Sequence, residues 1–153
     1  MKGWISAVFI LMLGAGLVLF TGCSTASHDR SEDSVKDHDL AGTAWRLIQF
    51  RAVDSRNYIP NRPSDYTLRF EADGKLQMQV DCNTGQGSWS SPARGELVLS
   101  QLMTTRKMCP PGSLHQIFTH NLERVRSYRF QGERLYLSLP SDGGTYEFEA
   151  EPR

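Results

Sequence analysis

The fold of this chain depends most on two stretches, VDCNTG at residues 80–85 and TRKMC at residues 105–109. The first stretch ends a run with the alternation of a strand, and the second shortly precedes a run with the period of a helix. Each stretch contains one cysteine, Cys82 in the first and Cys109 in the second. A bond between these two residues would tie the halves of a small domain together.

Short runs that alternate between apolar and polar residues predict strands on both sides of this pair. The predicted strands are 45–50, 66–70, 76–80, a short one at 88–90, 96–99, 128–130, 135–139 and 146–148. A tight, glycine-rich loop is predicted at 81–87. In the first strand, alternation places Trp45 and Leu47 on one face, and Ile48 and Phe50 on the other.

One segment, 114–125, changes period and predicts a helix of about three turns, with one apolar face on the sheet. The residues of that face are Leu114, Ile117, Phe118, Leu122 and Val125. Ser113 is a good N-cap, and Gln116 three places on completes a capping box. The expected fold class is mainly β (α+β). It is an antiparallel meander of seven or eight strands that forms an open or cracked barrel, with one inserted amphipathic helix.

These residues resemble the META domain of HslJ-type bacterial envelope proteins. The matching positions are Phe70, Gly74, Cys82, Asn83, Gly95, Glu96, Leu97 and TRKMC at 105–109. The resemblance covers about residues 40–150 and implies a small β-rich domain, often lipid-anchored, that is linked with heat or antibiotic stress. It also implies a cracked barrel similar to a pilotin lipoprotein that helps secretin assembly, and it brings no catalytic residue with it. The sequence departs from the family at Asp81, where many members have glycine.

The first 22 residues have the features of an export signal: Lys2, an almost wholly apolar run at 4–20, and small residues before a cut site. Because the segment ends on Gly22 and Cys23, it resembles a bacterial lipoprotein signal. In lipoproteins the leader, here 1–22, is removed and the cysteine is lipidated, so Cys23 is the predicted lipidation site and would carry palmitate. The alternative is an uncleaved membrane anchor, since the run approaches the roughly 20 residues that span a bilayer.

Residues 23–39 are predicted to be the lipidated cysteine and a flexible tether. Val35 is the only sizeable apolar residue in 24–39, so this segment cannot bury enough surface to order itself. As a flexible coil it reaches roughly 20–25 Å. In lipoproteins an aspartate after the lipidated cysteine often means retention in the inner membrane. Ser24 therefore favours the outer membrane, with the domain facing the periplasm.

The two cysteines inside the domain favour a disulfide in an exported protein, Cys82 with Cys109. Two free thiols and a nucleophilic Cys82 are the alternatives, and a nucleophile would need a nearby base and a lowered pKa. The domain histidines, His115 and His120, lie five residues apart on the helix and do not share a face. A zinc site needs four ligands at suitable spacing, which the sequence does not offer. We therefore predict no catalytic residue, no metal and no cofactor.

A disulfide would also bring Asn83, Thr105 and Arg106 within a few residues of one another, as a polar patch that a partner could contact. The guanidinium of Arg106 is a rigid fork suited to a carboxylate or phosphate. Asn83 has a structural alternative, because its side chain can bond nearby backbone and hold the turn.

The charges balance, with 17 Lys and Arg against 17 Asp and Glu, so nothing suggests a nucleic-acid partner. We expect a monomeric, non-catalytic protein, held at the membrane by its lipid. It would be an accessory or stress-response factor that binds an envelope protein or lipid. The alternatives are a pilotin-like secretin assembly factor, an inhibitor of a hydrolase, and an enzyme that acts on envelope polymers.

Overall fold

A computed structural model describes residues 39–152. The predicted leader 1–22, Cys23 and the predicted tether up to residue 38 lie outside the described residues. Within 39–152 the chain forms nine strands and one α-helix. They are β1 (Thr43–Ala52), β2 (Asn57–Tyr58), β3 (Tyr66–Phe70), β4 (Lys75–Val80), β5 (Asn83–Ser90), β6 (Val98–Thr104), α1 (His115–Leu122), β7 (Ser127–Gln131), β8 (Arg134–Ser138) and β9 (Gly144–Ala150).

The strands form one antiparallel sheet in the order β6-β5-β4-β3-β1-β9-β8-β7, and the short β2 pairs with β1. The sheet curls into a half-barrel with a single helix, so the predicted fold class is confirmed. The edge strands β6 and β7 approach each other at one bridge, between Glu96 and Ser127. Beside it, the Leu97 N–H donates to the Arg126 carbonyl at 2.9 Å. The barrel is therefore closed at one point of this seam.

The core lies on the inner face of the sheet, where alternate residues of the strands meet α1. Phe118 of α1 is buried, and its ring centroid lies 5.7 Å from that of Tyr66, 5.5 Å from that of Tyr146 and 6.3 Å from that of Phe148. Leu122 and Val125 are fully buried beside it. The predicted apolar face of the helix is thus confirmed, because it lies against strands on both sides of β1.

Strict alternation was wrong in β1, because the strand contains a bulge. The register with β9 shifts between Leu47 and Gln49, which leaves Ile48 as the extra residue. A bulge reverses the face of every residue beyond it. Phe50 therefore joins Trp45 and Leu47 in the core, at 3% exposure, instead of lying on the opposite face.

The predicted loop at 81–87 was also wrong, since the turn contains only Asp81 and Cys82 and β5 begins at Asn83. The glycines of β5 face inward, where the core has no room for side chains. A Cβ at Gly85 would lie 2.8 Å from the Met78 Cε, and one at Gly87 would clash with the Leu102 side chain. Glycine is needed here for close packing rather than for a turn, because side chains of the neighbouring strands fill the space that a Cβ would occupy.

The helix is shorter than predicted and has eight residues, about two turns. The predicted N-cap was one residue early, because Leu114 is the N-cap and makes no side-chain capping bond, whereas the Ser113 Oγ accepts a hydrogen bond from the His115 N–H at 3.2 Å. No hydrogen bond from Gln116 completes a capping box among residues 39–152. Across the same residues, no helix has the length and apolar character to span a membrane.

Candidate functional site

The predicted cysteines meet at one corner of the sheet. Cys82 lies in the turn between β4 and β5, and Cys109 in the segment between β6 and α1. They form a disulfide with the Cα atoms 5.5 Å apart. We call residues 81–84 and 104–109, joined by this bond, the corner. A disulfide sulfur has no thiolate, so Cys82 is not a nucleophile in this state.

Asn83 is the buried centre of the corner, at 1% exposure. Its Oδ1 accepts hydrogen bonds from the Thr105 Oγ1 at 2.9 Å and from the Lys107 N–H at 2.7 Å. Its Nδ2 donates to the Lys107 carbonyl at 3.1 Å and lies 3.2 Å from the Cys109 Sγ. Every polar atom of the side chain is therefore used inside the protein, which is the structural alternative for this residue.

Thr105 is similarly occupied. While its hydroxyl donates to Asn83, the same oxygen accepts from the Thr84 N–H at 3.2 Å. The Thr105 N–H donates in turn to the Thr84 carbonyl at 2.9 Å. These bonds continue the pairing of β5 and β6 up to the corner, so the side chain of Thr105 holds the segment in place.

A third support comes from Tyr66, which sequence reasoning missed. Its buried hydroxyl accepts a hydrogen bond from the Leu114 N–H at 2.8 Å and lies 3.3 Å from the Asp81 Oδ2. Burial raises the pKa of Tyr66, and the nearby carboxylate of Asp81 adds to this. Asp81 has φ of 56°, a conformation that favours glycine. Only the three-dimensional structure brings Tyr66 to this turn.

Arg106, Lys107 and Met108 differ from the buried Asn83 and Tyr66 because they project from the corner into solvent. Met108 is 99% exposed, although the bonds on both sides fix its backbone. Among residues 39–152, no carboxylate forms an ion pair with Arg106 or Lys107. Of the three predicted patch residues, Arg106 alone therefore presents free hydrogen-bonding groups.

Two cavities flank Arg106 and separate the corner and β6 from α1. One has a volume of about 460 Å³ and includes Leu102, Met103 and Glu123 in its lining. The other has about 530 Å³ and includes Met108 and His115. Their linings share Thr104, Arg106 and Thr119. We call this pair of cavities the groove.

Sequence reasoning missed the groove because it ended the strand at residue 99, whereas β6 continues to Thr104. The signal was a disturbed alternation, since Leu102 and Met103 are adjacent apolar residues. The register of β6 shifts there, and Gln101 has φ of 54°. A bulge places Leu102 inward and leaves Met103 60% exposed.

The chemistry available at this site is simple. Among the described residues, no group of three or more His, Cys, Asp and Glu side chains is placed to hold a metal ion. Within the same part of the chain, no buried side-chain nitrogen or oxygen lacks a hydrogen-bond partner. What the site offers is a guanidinium, an ammonium and two methionine side chains on a fixed backbone. That combination is suited to binding.

Among the solved structures that resemble this fold, two come from named bacteria. An NMR structure of a protein from Burkholderia xenovorans is 21% identical, with a TM-score of 0.63 over 74% of this chain and 85% of its own. A crystal structure of a DUF4847 family protein from Bacteroides vulgatus ATCC 8482 is 18% identical, with a TM-score of 0.53 over 74% of this chain and 96% of its own. At these identities the likeness concerns the fold alone. No curated protein sequence matches the chain.

A family model also matches this chain, over a range that includes the residues of the corner. The model of the META domain matches residues 38–152, which include β1 to β9, α1 and both halves of the disulfide. Because this match covers well over half of the chain, the protein belongs to the META domain family.

Proposed function

We propose that this protein is an outer-membrane lipoprotein, anchored through Cys23, whose META domain acts without catalysis. It works as an accessory or stress-response factor by binding a partner in the envelope, and the corner is its contact surface. The domain itself is a monomer that faces the periplasm.

The anchor and the compartment are supported by the cysteines. Gly22 and Cys23 follow an apolar leader at the spacing of a lipoprotein signal. The bond between Cys82 and Cys109 fits the same location, because disulfides persist in oxidising compartments such as the periplasm.

The observation that carries the binding role is the contrast within residues 105–109. Asn83 and the disulfide immobilise this segment, yet Arg106, Lys107 and Met108 point into solvent. Holding long side chains on a fixed backbone lowers the entropy lost on binding. Methionine and arginine are also enriched at interfaces between proteins.

The position of the corner fits a partner away from the anchor. β1 begins at Thr43, opposite Phe70, whereas the corner adjoins Val80 and Asn83 at the other end of β3 and β4. The five residues of β3 separate these ends by roughly 17 Å. A tether that joins the domain before Thr43 is therefore attached at the end of the sheet opposite the corner.

Crosslinking in living cells tests the binding role. A photo-crosslinking side chain at position 108 should give defined adducts on irradiation, while the same group in place of Lys75 should not. Lys75 is a suitable control because it is exposed at the Thr43 end of the sheet. Equal yields of adducts at positions 108 and 75, or no adducts at either position, would contradict the proposal. Release of fragments from purified envelope polymers by the protein would contradict its non-catalytic part.

Lipidation is tested separately. Cys23→Ser should accumulate as uncut precursor and take up no labelled palmitate, because the thiol that receives the diacylglyceryl group is gone. A matched Cys82→Ser variant should still be processed and labelled. Normal maturation and labelling of Cys23→Ser would show that the anchor assignment is wrong.

A further inference from the structure

The outer edge of β6 is an unused backbone surface. β6 pairs with β5 on one side, and among residues 39–152 no other strand pairs with it. In the same part of the chain, no hydrogen bond from another segment reaches the other edge of Val98–Thr104. Such an edge presents a row of N–H and C=O groups to whatever lies beside it.

The direction of these groups follows from the hydrogen bonds at the corner. The Thr105 N–H donates to the Thr84 carbonyl of β5, so the backbone of Thr105 faces β5. In an antiparallel pair, successive residues alternate between facing the neighbour and facing away. The N–H and C=O of Thr104 therefore point away from β5, towards the groove.

The bulge at Gln101 divides this edge. A bulge interrupts regular pairing and discourages another chain from covering the whole strand. The remaining edge at residues 102–104 is short, and it lies in the wall of the groove. Since Thr119 and Leu122 of α1 form the opposite wall together with Glu123 at the helix C-cap, a chain that pairs here would lie between β6 and the helix.

The groove has the apolar and charged side chains that an extended peptide needs. Met103 and Met108 are exposed on its rim, and the thioether of methionine adapts to varied side chains. Arg106 and Lys107 contribute two positive charges, against one carboxylate in the lining, that of Glu123. Because the balance is basic, charge complementarity favours an acidic occupant.

We propose that the groove binds an extended, acidic segment of a partner protein, which adds to β6 as a strand beside residues 102–104. The backbone of the segment pairs with Thr104, and one of its carboxylates bonds the guanidinium of Arg106. This inference deepens the proposed function and rests on it, since it assigns the chemistry of the partner.

Selection from a peptide library tests the assignment. The full chain in detergent micelles is exposed to short random peptides, and the bound ones are sequenced. We expect enrichment of Asp and Glu among residues of high strand propensity. Enrichment of basic or uncharged peptides, or no enrichment, would overturn the proposal.

The best peptide is then tested for strand pairing. Two methylated versions of the peptide are compared, one with N-methyl groups at the odd positions and one at the even positions. One version should no longer bind and the other should bind normally, because only alternate N–H groups face β6. Binding should also slow hydrogen exchange of the Thr104 amide. If both methylated peptides bind normally and hydrogen exchange of the Thr104 amide is unchanged, no strand is added.

Two matched variants test the charge. Arg106→Gln should weaken binding of the peptide about tenfold or more, the range for a charged hydrogen bond. Arg51→Gln should leave the affinity unchanged, because Arg51 is exposed on β1, outside the linings of the groove. An equal loss in both variants would show general charge attraction, which contradicts the proposal.

The remaining outcomes separate this inference from the proposed function. If crosslinks from position 108 persist in Arg106→Gln at wild-type yield and the library selects no acidic peptide, the corner binds a partner of another chemistry. If position 108 gives no adducts in the wild-type chain, the proposed function itself fails. Dimers of the full chain that peptides do not displace would show that a second copy occupies β6, which also contradicts the inference.

Discussion

At the scale of single residues, one amide side chain organises the corner. The Oδ1 of Asn83 holds the Thr105 hydroxyl and the Lys107 N–H, and its Nδ2 holds the Lys107 carbonyl. An aspartate would lack the donor, and an alanine would remove the partner of the Lys107 N–H and carbonyl. Asn83 and Arg106 therefore have different roles, although they lie within the same corner.

This difference can be measured with single substitutions. Asn83→Ala should lower the free energy of unfolding by about 1–3 kcal/mol, because it removes hydrogen bonds from a buried site. Arg106→Ala and the exposed neighbour Thr84→Ala should change it by less than about 0.5 kcal/mol. Urea denaturation of the three variants provides the comparison. Equal stability of Asn83→Ala and the wild type would show that the amide does not hold the corner.

At the scale of elements, α1 depends on the sheet. A helix of eight residues is too short to be stable alone, so packing has to hold it. Phe118 is the residue of α1 that contacts aromatic rings on both β3 and β9. Phe118→Ala should lower the free energy of unfolding by about 3–5 kcal/mol, the usual cost of removing a buried phenyl ring. Gln116→Ala, on the exposed side of the helix, is the control. If Phe118→Ala lowers the free energy of unfolding by less than about 1 kcal/mol, the helix contributes little to the core.

The second attachment of α1 is polar and depends on pH. The buried hydroxyl of Tyr146 donates to the Phe118 carbonyl at 2.8 Å, and burial raises its pKa well above the usual value. The folded state therefore holds the neutral phenol. Its contribution to stability is complete below about pH 10, the ordinary pKa of tyrosine, and falls at higher pH, where unfolding releases the proton.

Tyr146→Phe should consequently have two effects. Near neutral pH it should lose about 1 kcal/mol of stability, because a buried hydrogen bond to α1 is removed. Above about pH 10 its stability should fall less steeply than that of the wild type, although not become flat, since burial also raises the pKa of Tyr66. Denaturation curves at several alkaline pH values test this. An equal slope in both proteins would contradict the assigned role.

At the scale of the whole molecule, the disulfide joins the β4–β5 turn to the segment before α1. Its cysteines are 27 residues apart, and closing such a loop stabilises the fold by about 3.5 kcal/mol in the chain-entropy model. The double variant Cys82→Ala, Cys109→Ala should lose about that amount. Peptide mapping without reductant should find the two wild-type cysteines linked. Free thiols at both positions, or unchanged stability of the double variant, would refute this prediction.

Elements with a local pattern could be predicted from the sequence alone. Alternation located β3, β4 and β8, and the change of period located the face of α1 that carries Phe118, because strands and helices repeat at different intervals. The two cysteines inside the domain, Cys82 and Cys109, indicated which segments meet, because the predicted export favours a disulfide. These features depend on neighbouring residues in the chain, so one sequence contains them.

Features that depend on residues far apart in the chain could be seen only in the folded structure. The bulges at Ile48 and Gln101 arise from the register between strands. The space that side chains at the glycines of β5 would need is filled by Met78 and Leu102 of the neighbouring strands. The burial of Asn83 and the groove beside β6 have the same origin. A side chain becomes structural or accessible according to what packs against it, and that is set by contacts between residues far apart in sequence.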